Sequence, residues 1–324
     1  MANLKTIFVG LELGSPVIAG SSGLTADVSK LQEIADSGAG AVVLKSVFEE
    51  QIRREAAQCI GDSYPEEADY IQQYVRAHAL QEYIDLVKMA KSRLRIPVIA
   101  SINCLKDGEW VSFARELELA GADALELNAF ILPTDPFMEA AEVENLYFDI
   151  VKHVKAVVKI PVIMKISRYF TNLPAFVSKL KGYGADAVTV FNRFYEPDID
   201  IEHLSVGSSS VFSTSADIRA SLRWTGILSG KDKKLELSSS TGVHGGDAVV
   251  KLLLAGATTV QVCSALYEQG IGCIGSMNDF LSSWMDKKGF NTIAEFRGKL
   301  SYTDAEHADR YERAQFMKYF SDRK

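Results

Sequence analysis

The sequence predicts an α/β chain folded as one TIM (β/α)8 barrel. Two observations carry that prediction. Short apolar segments of two kinds alternate along the chain, one kind entered through an X-Pro step and the other opening with Gly-Ala. Helix-patterned segments fill the gaps between them. Parallel strands need crossovers of this sort, and eight strand–helix units close into a barrel. A doubly wound open sheet is the alternative, but Ala19-Gly-Ser-Ser-Gly23 lacks the spacing of a dinucleotide-binding turn.

Taken in order, Ile7 to Glu12 reads as a short hairpin at the barrel's bottom. Strand one is Ser15-Pro-Val-Ile-Ala-Gly20, with a helix over Val28 to Ser37. Strand two, Gly38-Ala-Gly-Ala-Val-Val-Leu44, precedes a long helix over Glu67 to Ser92 with Tyr70, Tyr74, Ala77, Ile84 and Val87 on one face. Strand three, Ile96 to Ser101, and strand four, Gly121 to Leu127, lead to helices over Trp110 to Ala120 and Val143 to Val158. Strand five, Ile160 to Lys165, and strand six, Gly184 to Val190, lead to helices over Leu173 to Lys181 and Ala216 to Leu228. Strand seven, Lys234 to Ser238, and strand eight, Gly256 to Val262, are followed by helices over Gly246 to Leu254 and Ser276 to Lys287. Proline at a strand's first residue forfeits no interior ladder bond, and Val/Ile/Leu-rich runs suit parallel strands buried on both faces. The glycine opening each Gly-Ala strand suits a left-handed helix C-cap. Phe194 to Ser213 falls outside the barrel repeat and is too short for a domain. The expected organisation is a single domain over 1–324, with the barrel at about 14–290 and a C-terminal helical extension at about 291–324.

The hydrophobic fraction of 47% and charged fraction of 24% exclude a disordered or fibrous chain. A net charge of −7 argues against a nucleic-acid surface or docking on anionic lipid. Cys59, Cys104, Cys263 and Cys273 form no C-x-x-C, so neither a disulfide framework nor a zinc site is expected. No apolar run near the start suits a signal peptide or a membrane span, and the expected compartment is the cytoplasm. His78, His153 and His307 read as surface residues, and His203 and His244 as loop residues without metal spacing.

A TIM barrel places its chemistry at the C-terminal ends of its strands. Those ends read Gly20-Ser-Ser-Gly23, Lys45-Ser46, Ser101-Ile-Asn103-Cys104, Glu126-Leu-Asn128, Lys165, Asn192-Arg193, Ser238-Ser-Ser-Thr-Gly242 and Cys263-Ser264. Two lysines, several amides and many small hydroxyls therefore share one rim. A lysine at a strand end is often a solvated charge, but an unpaired ammonium in an otherwise apolar strand is costly. Ser240-Thr-Gly242 and Cys263-Ser264 occupy the loops where barrels usually bind phosphate, each with backbone N–H groups ahead of a helix.

These residues resemble the dihydroorotate dehydrogenase family. The likeness rests on Ser22-Gly23, Lys45-Ser46, Glu126-Leu-Asn128, Lys165, Asn192, Ser240-Thr-Gly242 with Asp247-Ala248, and Gln261-Val-Cys-Ser-Ala-Leu-Tyr267. Gly289-Phe-Asn-Thr-Ile-Ala-Glu-Phe-Arg-Gly-Lys-Leu300 is similar to that family's ending. The resemblance implies an FMN-binding barrel that oxidises dihydroorotate or a related cyclic dihydropyrimidine by hydride transfer to flavin N5, in pyrimidine biosynthesis. It implies that Gly20, Ser21, Ser22 and Gly23 line the isoalloxazine and that Lys45, with Ser46, reaches flavin and substrate. By the same likeness Ser101, Asn128 and Lys165 contact the ring and ribityl chain, and Asn192 faces the substrate. Ser213, Thr214, Ser240, Thr241, Gly242, Cys263 and Ser264 would hold the phosphate. Lys45, Asn128 and Asn192 are the expected catalytic residues, with a small-molecule substrate as partner and a homodimer as the candidate assembly. By the same likeness the chain is expected to fall with the cytosolic class, without the membrane-directing extension of the family's quinone-linked members.

Two departures stand out. The family's catalytic Cys or Ser base is replaced by Ile131, leaving Thr134, Ser101 and Cys104 as candidates. The family's amide cradle for the substrate carboxylate is replaced by the acidic stretch Asp62-Ser-Tyr-Pro-Glu-Glu-Ala-Asp69. The rival readings are an FMN enzyme with a non-orotate substrate, a flavin-binding electron carrier, and a flavin-free lyase or aldolase using Lys45 or Lys165 as a Schiff base.

Overall fold

The computed structural model describes residues 2–60, 65–103, 107–303 and 305–313. Its strands are β1 (Thr6–Phe8), β2 (Leu11–Leu13), β3 (Val17–Ala19), β4 (Ala41–Val43), β5 (Val47–Phe48), β6 (Val98–Asn103) and β7 (Ala124–Asn128). They continue with β8 (Val162–Ile166), β9 (Ala187–Val190), β10 (Pro197–Asp200), β11 (Ser205–Ser208), β12 (Glu236–Ser239) and β13 (Thr259–Val262). The helices are α1 (Val28–Asp36), α2 (Glu49–Ile60), α3 (Pro65–Arg93), α4 (Asp107–Leu119), α5 (Ala140–Lys155) and α6 (Leu173–Gly182). After them come α7 (Ile218–Lys231), α8 (Gly246–Ala255), α9 (Ser264–Glu268), α10 (Cys273–Lys288) and α11 (Ala305–Glu312).

Eight parallel strands pair in the closed order β3, β4, β6, β7, β8, β9, β12, β13 and back to β3, which is the TIM barrel expected. The barrel strands coincide with the eight segments read from the sequence. Pro16, Pro97 and Pro161 stand one residue ahead of β3, β6 and β8. Each lacks an N–H, but its carbonyl accepts the ladder bond from Val260, Val42 and Leu125 respectively. The glycines Gly38, Gly121, Gly184 and Gly256 have φ of 88°, 97°, 111° and 115°, the left-handed caps that only glycine adopts without strain.

The hairpin β1–β2 closes the barrel's bottom. Phe8 and Leu13 pack against the inward-facing Ile18, Val43, Ile99, Ala124, Ile163 and Ala187. The larger apolar layer lies between the strands and the surrounding helices.

The elements α2, β5, β10, β11 and α9 escape the sequence reading. Helix α2 fills part of a stretch left without structure, and α3 buries Tyr83, Leu86, Val87 and Ala90 while Tyr70 and Tyr74 stay exposed. The helical face read at its start therefore faces solvent. Phe194 to Ser213 contains the exposed hairpin β10–β11. Residues 62–64 of the acidic stretch, and Cys104, lie outside the described residues.

Candidate active site

Inward-pointing residues of the barrel strands alternate with helix-facing ones, and toward the C-terminal end the inward set turns polar. In β7 the alternation places Ala124, Glu126 and Asn128 inside, between Leu125 and Leu127. Asn128 is in register with Lys165, and Lys165 with Thr189. Gln261 of β13 completes the ring.

Glu126 is fully buried there. Its Oε2 accepts from Gln261 Nε2 at 2.6 Å and from Thr189 Oγ1 at 2.9 Å. Its Oε1 lies 3.3 Å from Lys165 Nζ but makes no hydrogen bond. Lys165 Nζ is 3.5 Å from Gln261 Oε1. The ammonium is thus held by charge while its donors remain poorly used, available to a ligand in the cavity it lines. The same ammonium opposes the effect of burial on Cys263. Burial pushes that thiol up, while Lys165 and the Ser22 hydroxyl pull it down, with burial the larger effect. Cys263 is therefore a thiol at neutral pH, not a nucleophilic thiolate.

The cavity above this ring has a volume of about 440 Å³. One wall is Gly20, Ser21, Ser22 and Gly23; Lys165 and Asn192 reach it from β8 and the end of β9. Ser213, Ser240, Thr241, Gly242, Cys263 and Ser264 form its far end. A chain of polar side chains joins further expected residues to this wall. Ser46 N–H donates to Ser21 Oγ at 2.9 Å, and the hydroxyls of Ser46 and Ser101 are 2.7 Å apart. Asn128 Nδ2 lies 3.4 Å from Ser46 Oγ, and Asn192 Nδ2 donates to Asn128 Oδ1. Ser101 is pinned from behind by the buried Tyr83, whose hydroxyl accepts from Ser101 N–H at 2.9 Å. Burial drives that phenol's pKa upward.

Five expected residues do not line the cavity: Ser46, Ser101 and Asn128 connect to its wall through the polar chain, and Lys45 and Thr214 stand apart. Lys45 is half-buried and lines a neighbouring cavity of about 510 Å³ between β4, α2 and α3, with Ser46 on the wall between the two. Thr214 is exposed and starts the turn ahead of α7, its N–H and hydroxyl both directed to Asp217.

The far end also differs from the expectation in its donors. The N–H of Ser240 is spent on Val190 O, and that of Gly242 reaches Ser213 Oγ at 3.4 Å. Gly242 has φ of 78°, and a Cβ there would come 2.1 Å from Ile218 N. The loop is pressed against the start of α7, so these two N–H groups serve the fold, and what this end offers to the cavity is mainly side-chain hydroxyls.

Of the three candidate bases, Thr134 is exposed in the irregular loop after β7 and Ser101 is buried with its hydroxyl against Ser46. Cys104 lies outside the described residues. Ile131 packs on the core, and its N–H meets Tyr147 OH at 3.4 Å. Burial pushes the Tyr147 phenol up to about 12.

The roles of Glu126, Gln261, Thr189 and His244 were not read from the sequence. For the first three the signal was present: a polar residue at an inward position of an otherwise apolar strand. Among the described residues no cluster of three or more His, Cys, Asp or Glu side chains could hold a metal, and no helix is long and apolar enough to cross a membrane.

The family model described as dihydroorotate dehydrogenase matches residues 3–285. A relative from Thermoplasma volcanium, named the catalytic subunit of dihydroorotate dehydrogenase B (NAD(+)), is 26% identical over 92% of this chain and 98% of its own length. A relative of the same name from Methanocella arvoryzae is 29% identical over 86% of this chain and 92% of its own. With a closed barrel, a polar cavity at its C-terminal rim and a family match over most of its length, the chain belongs to the dihydroorotate dehydrogenase family of oxidoreductases acting on CH–CH groups.

Proposed function

We propose that the chain is an FMN-dependent oxidoreductase acting on a cyclic dihydropyrimidine-like substrate, with dihydroorotate itself a poor one. The observation that carries the reading is the split character of the cavity. One end gathers the hydroxyls of Ser213, Ser240 and Ser264, suited to a phosphate, while the Thr241 hydroxyl donates to the Phe191 carbonyl at 3.0 Å. The other offers the Lys165 ammonium, and the wall between them is glycine and serine. That donor set fits FMN, and the hydrogen bonding of the Lys165 ammonium is limited, among the described residues, to a 3.5 Å contact with Gln261 Oε1. FMN, bound there, would supply the acceptor for a hydride at its N5. Lys165 would favour extra negative charge on the ring edge it faces. Asn192, on the cavity wall and held by Asn128, would present its amide to a cyclic imide, and the substrate's CH–CH bond would lose one hydride and one proton to become C=C.

For Lys165 the Schiff-base reading is disfavoured because the residue sits beside a buried carboxylate, whereas imine formation needs a free amine; Lys45 lines a different cavity from the hydroxyl-rich end. The relatives' names pair a catalytic subunit with NAD(+). By that likeness we propose NAD(+) as the final acceptor, reached through a second subunit, and a cytoplasmic setting. A homodimer remains the assembly proposed for the chain alone.

A positioned base is typically worth ~10²–10⁴-fold in rate. With Ile131 in its place, dihydroorotate is expected to bleach the flavin at least ~100-fold more slowly than the fold achieves with a base present. Anaerobic mixing with dihydroorotate and with dihydrouracil, which lacks the carboxylate, tests this. Rapid bleaching by dihydroorotate would return the chain to the family's usual substrate.

A further inference from the structure

The hydroxyl end of the cavity is backed by two side chains, His244 and Glu268, that the family likeness leaves without a role. Glu268 Oε2 lies 3.3 Å from His244 Nδ1, and His244 Nε2 lies 3.1 Å from Ser213 Oγ. Ser213 Oγ lies 3.0 Å from Ser264 Oγ, and both serines line the cavity. The His244 side chain is 13% exposed. Gln269 Nε2 holds the His244 carbonyl at 3.0 Å, fixing the loop that carries the ring.

The hydrogens in this line can be arranged in two ways. Nδ1 faces a carboxylate, so it carries a hydrogen in both. With His244 doubly protonated, Nε2–H donates to Ser213 Oγ, whose second lone pair takes the Gly242 N–H. The Ser213 hydrogen then goes to Ser264 Oγ, which also accepts the Ser213 N–H at 3.0 Å. Both lone pairs of Ser264 are now spent, and its own hydrogen is left for the cavity. With His244 neutral, Nε2 accepts from Ser213, Ser264 donates to Ser213, and the cavity meets a Ser264 lone pair. A single proton, taken from solvent onto His244, therefore decides whether the hydroxyl pair presents a donor or an acceptor.

We propose that His244 is a positioning residue that makes this end of the cavity selective for a phosphate monoester dianion, taking up a proton as the phosphate binds and turning Ser264 outward as a donor. The inference rests on the FMN reading and deepens it. Other charged groups around the imidazole are already engaged. Asp217, ahead of α7, accepts from Thr214; Asp247 on α8 is paired with Lys251 at 2.6 Å. Arg193, which also lines the cavity, donates to the carbonyls of Ser210 and Val211. Burial keeps the Cys263 thiol protonated, and Glu268 on α9 is the carboxylate that meets the ring.

The test titrates the flavin-free protein with FMN and with riboflavin, which differs by lacking the phosphate, and follows flavin fluorescence from about pH 5.5 to about pH 8.5, the interval in which a histidine changes charge. The expected result is an FMN-to-riboflavin affinity ratio that falls by about 10-fold or more across that interval. The phosphate titrates in the same interval, so the comparison that decides is with His244→Gln, which keeps a neutral donor near the Nε2 position. In His244→Gln the ratio at low pH is expected to drop by about 10-fold and its pH profile to follow the phosphate alone. Glu268→Gln, at a half-exposed site, is expected to weaken FMN in the same direction with riboflavin unchanged. If both variants keep the ratio and pH profile of the parent protein, the inference is wrong while the FMN reading stands. If neither flavin binds the parent protein, the FMN reading falls and this inference falls with it.

Discussion

Glu126 and Lys165 show how a single buried contact shapes the site. The carboxylate is sealed inside the barrel and hydrogen-bonded by Gln261 and Thr189, and the ammonium beside it is 9% exposed. Removing one partner of a buried ion pair typically costs about 3–5 kcal/mol, because the other charge is left uncompensated. Glu126→Gln is therefore expected to lower the unfolding free energy by that order. Adding Lys165→Met should recover much of the loss, and urea unfolding of the single and double variants measures the coupling. A Glu126→Gln protein as stable as its parent would show that the pair contributes no net charge interaction. Lys165→Met alone has a second consequence, through the flavin. With the ammonium gone, the reduced, anionic ring of the proposed FMN would lose its stabilisation, so the flavin potential is expected to fall and its reduction by substrate to slow. Dye-equilibration potentiometry reads the first effect, and an unchanged potential would remove Lys165 from this role. Lys165 and Asn128 were legible in the sequence because they end strands. Glu126 was visible in its motif but had no role, since one strand's sequence does not reveal that Lys165, Thr189 and Gln261 from three other strands converge on it.

At the scale of elements, the loop from Ser240 to Gly245 is held by the helix it abuts. The Cβ contact at Gly242 is with backbone of α7, not with the cavity, and the residue sits at positive φ. Gly242→Ala is expected to cost about 2–4 kcal/mol, from the left-handed backbone together with overpacking. The loss should be the same whether or not FMN is present, and chemical unfolding with and without FMN checks it. A stable Gly242→Ala protein would mean that the loop can leave α7. The repeated Pro and Gly-Ala signals made the eight barrel strands readable, because each has a local cause in a missing N–H or a left-handed cap. Helix α2 and the hairpin β10–β11 were not readable. Both are polar for much of their length, and β10–β11 is exposed throughout, so neither prints a strong apolar period on the sequence.

For the molecule as a whole, the barrel brings polar residues from separate βα units to one rim and leaves the lower end to a hydrophobic plug. The sequence was enough for that architecture and for the hydroxyl-rich end of the cavity. It was not enough for the separation of Lys45 into a neighbouring cavity, which depends on how α2 and α3 pack beside β4. The central claim is that this cavity holds FMN. A ligand at 100 times its dissociation constant stabilises the folded state by about 2.7 kcal/mol, so FMN should also raise the unfolding midpoint. The most direct measurement is the flavin content of the purified protein, taken from its visible spectrum and from mass analysis of the released cofactor, before and after incubation with excess FMN. The account predicts a yellow protein that carries FMN in stoichiometric amount and releases it intact on unfolding. A colourless protein that takes up no FMN even from excess would contradict it.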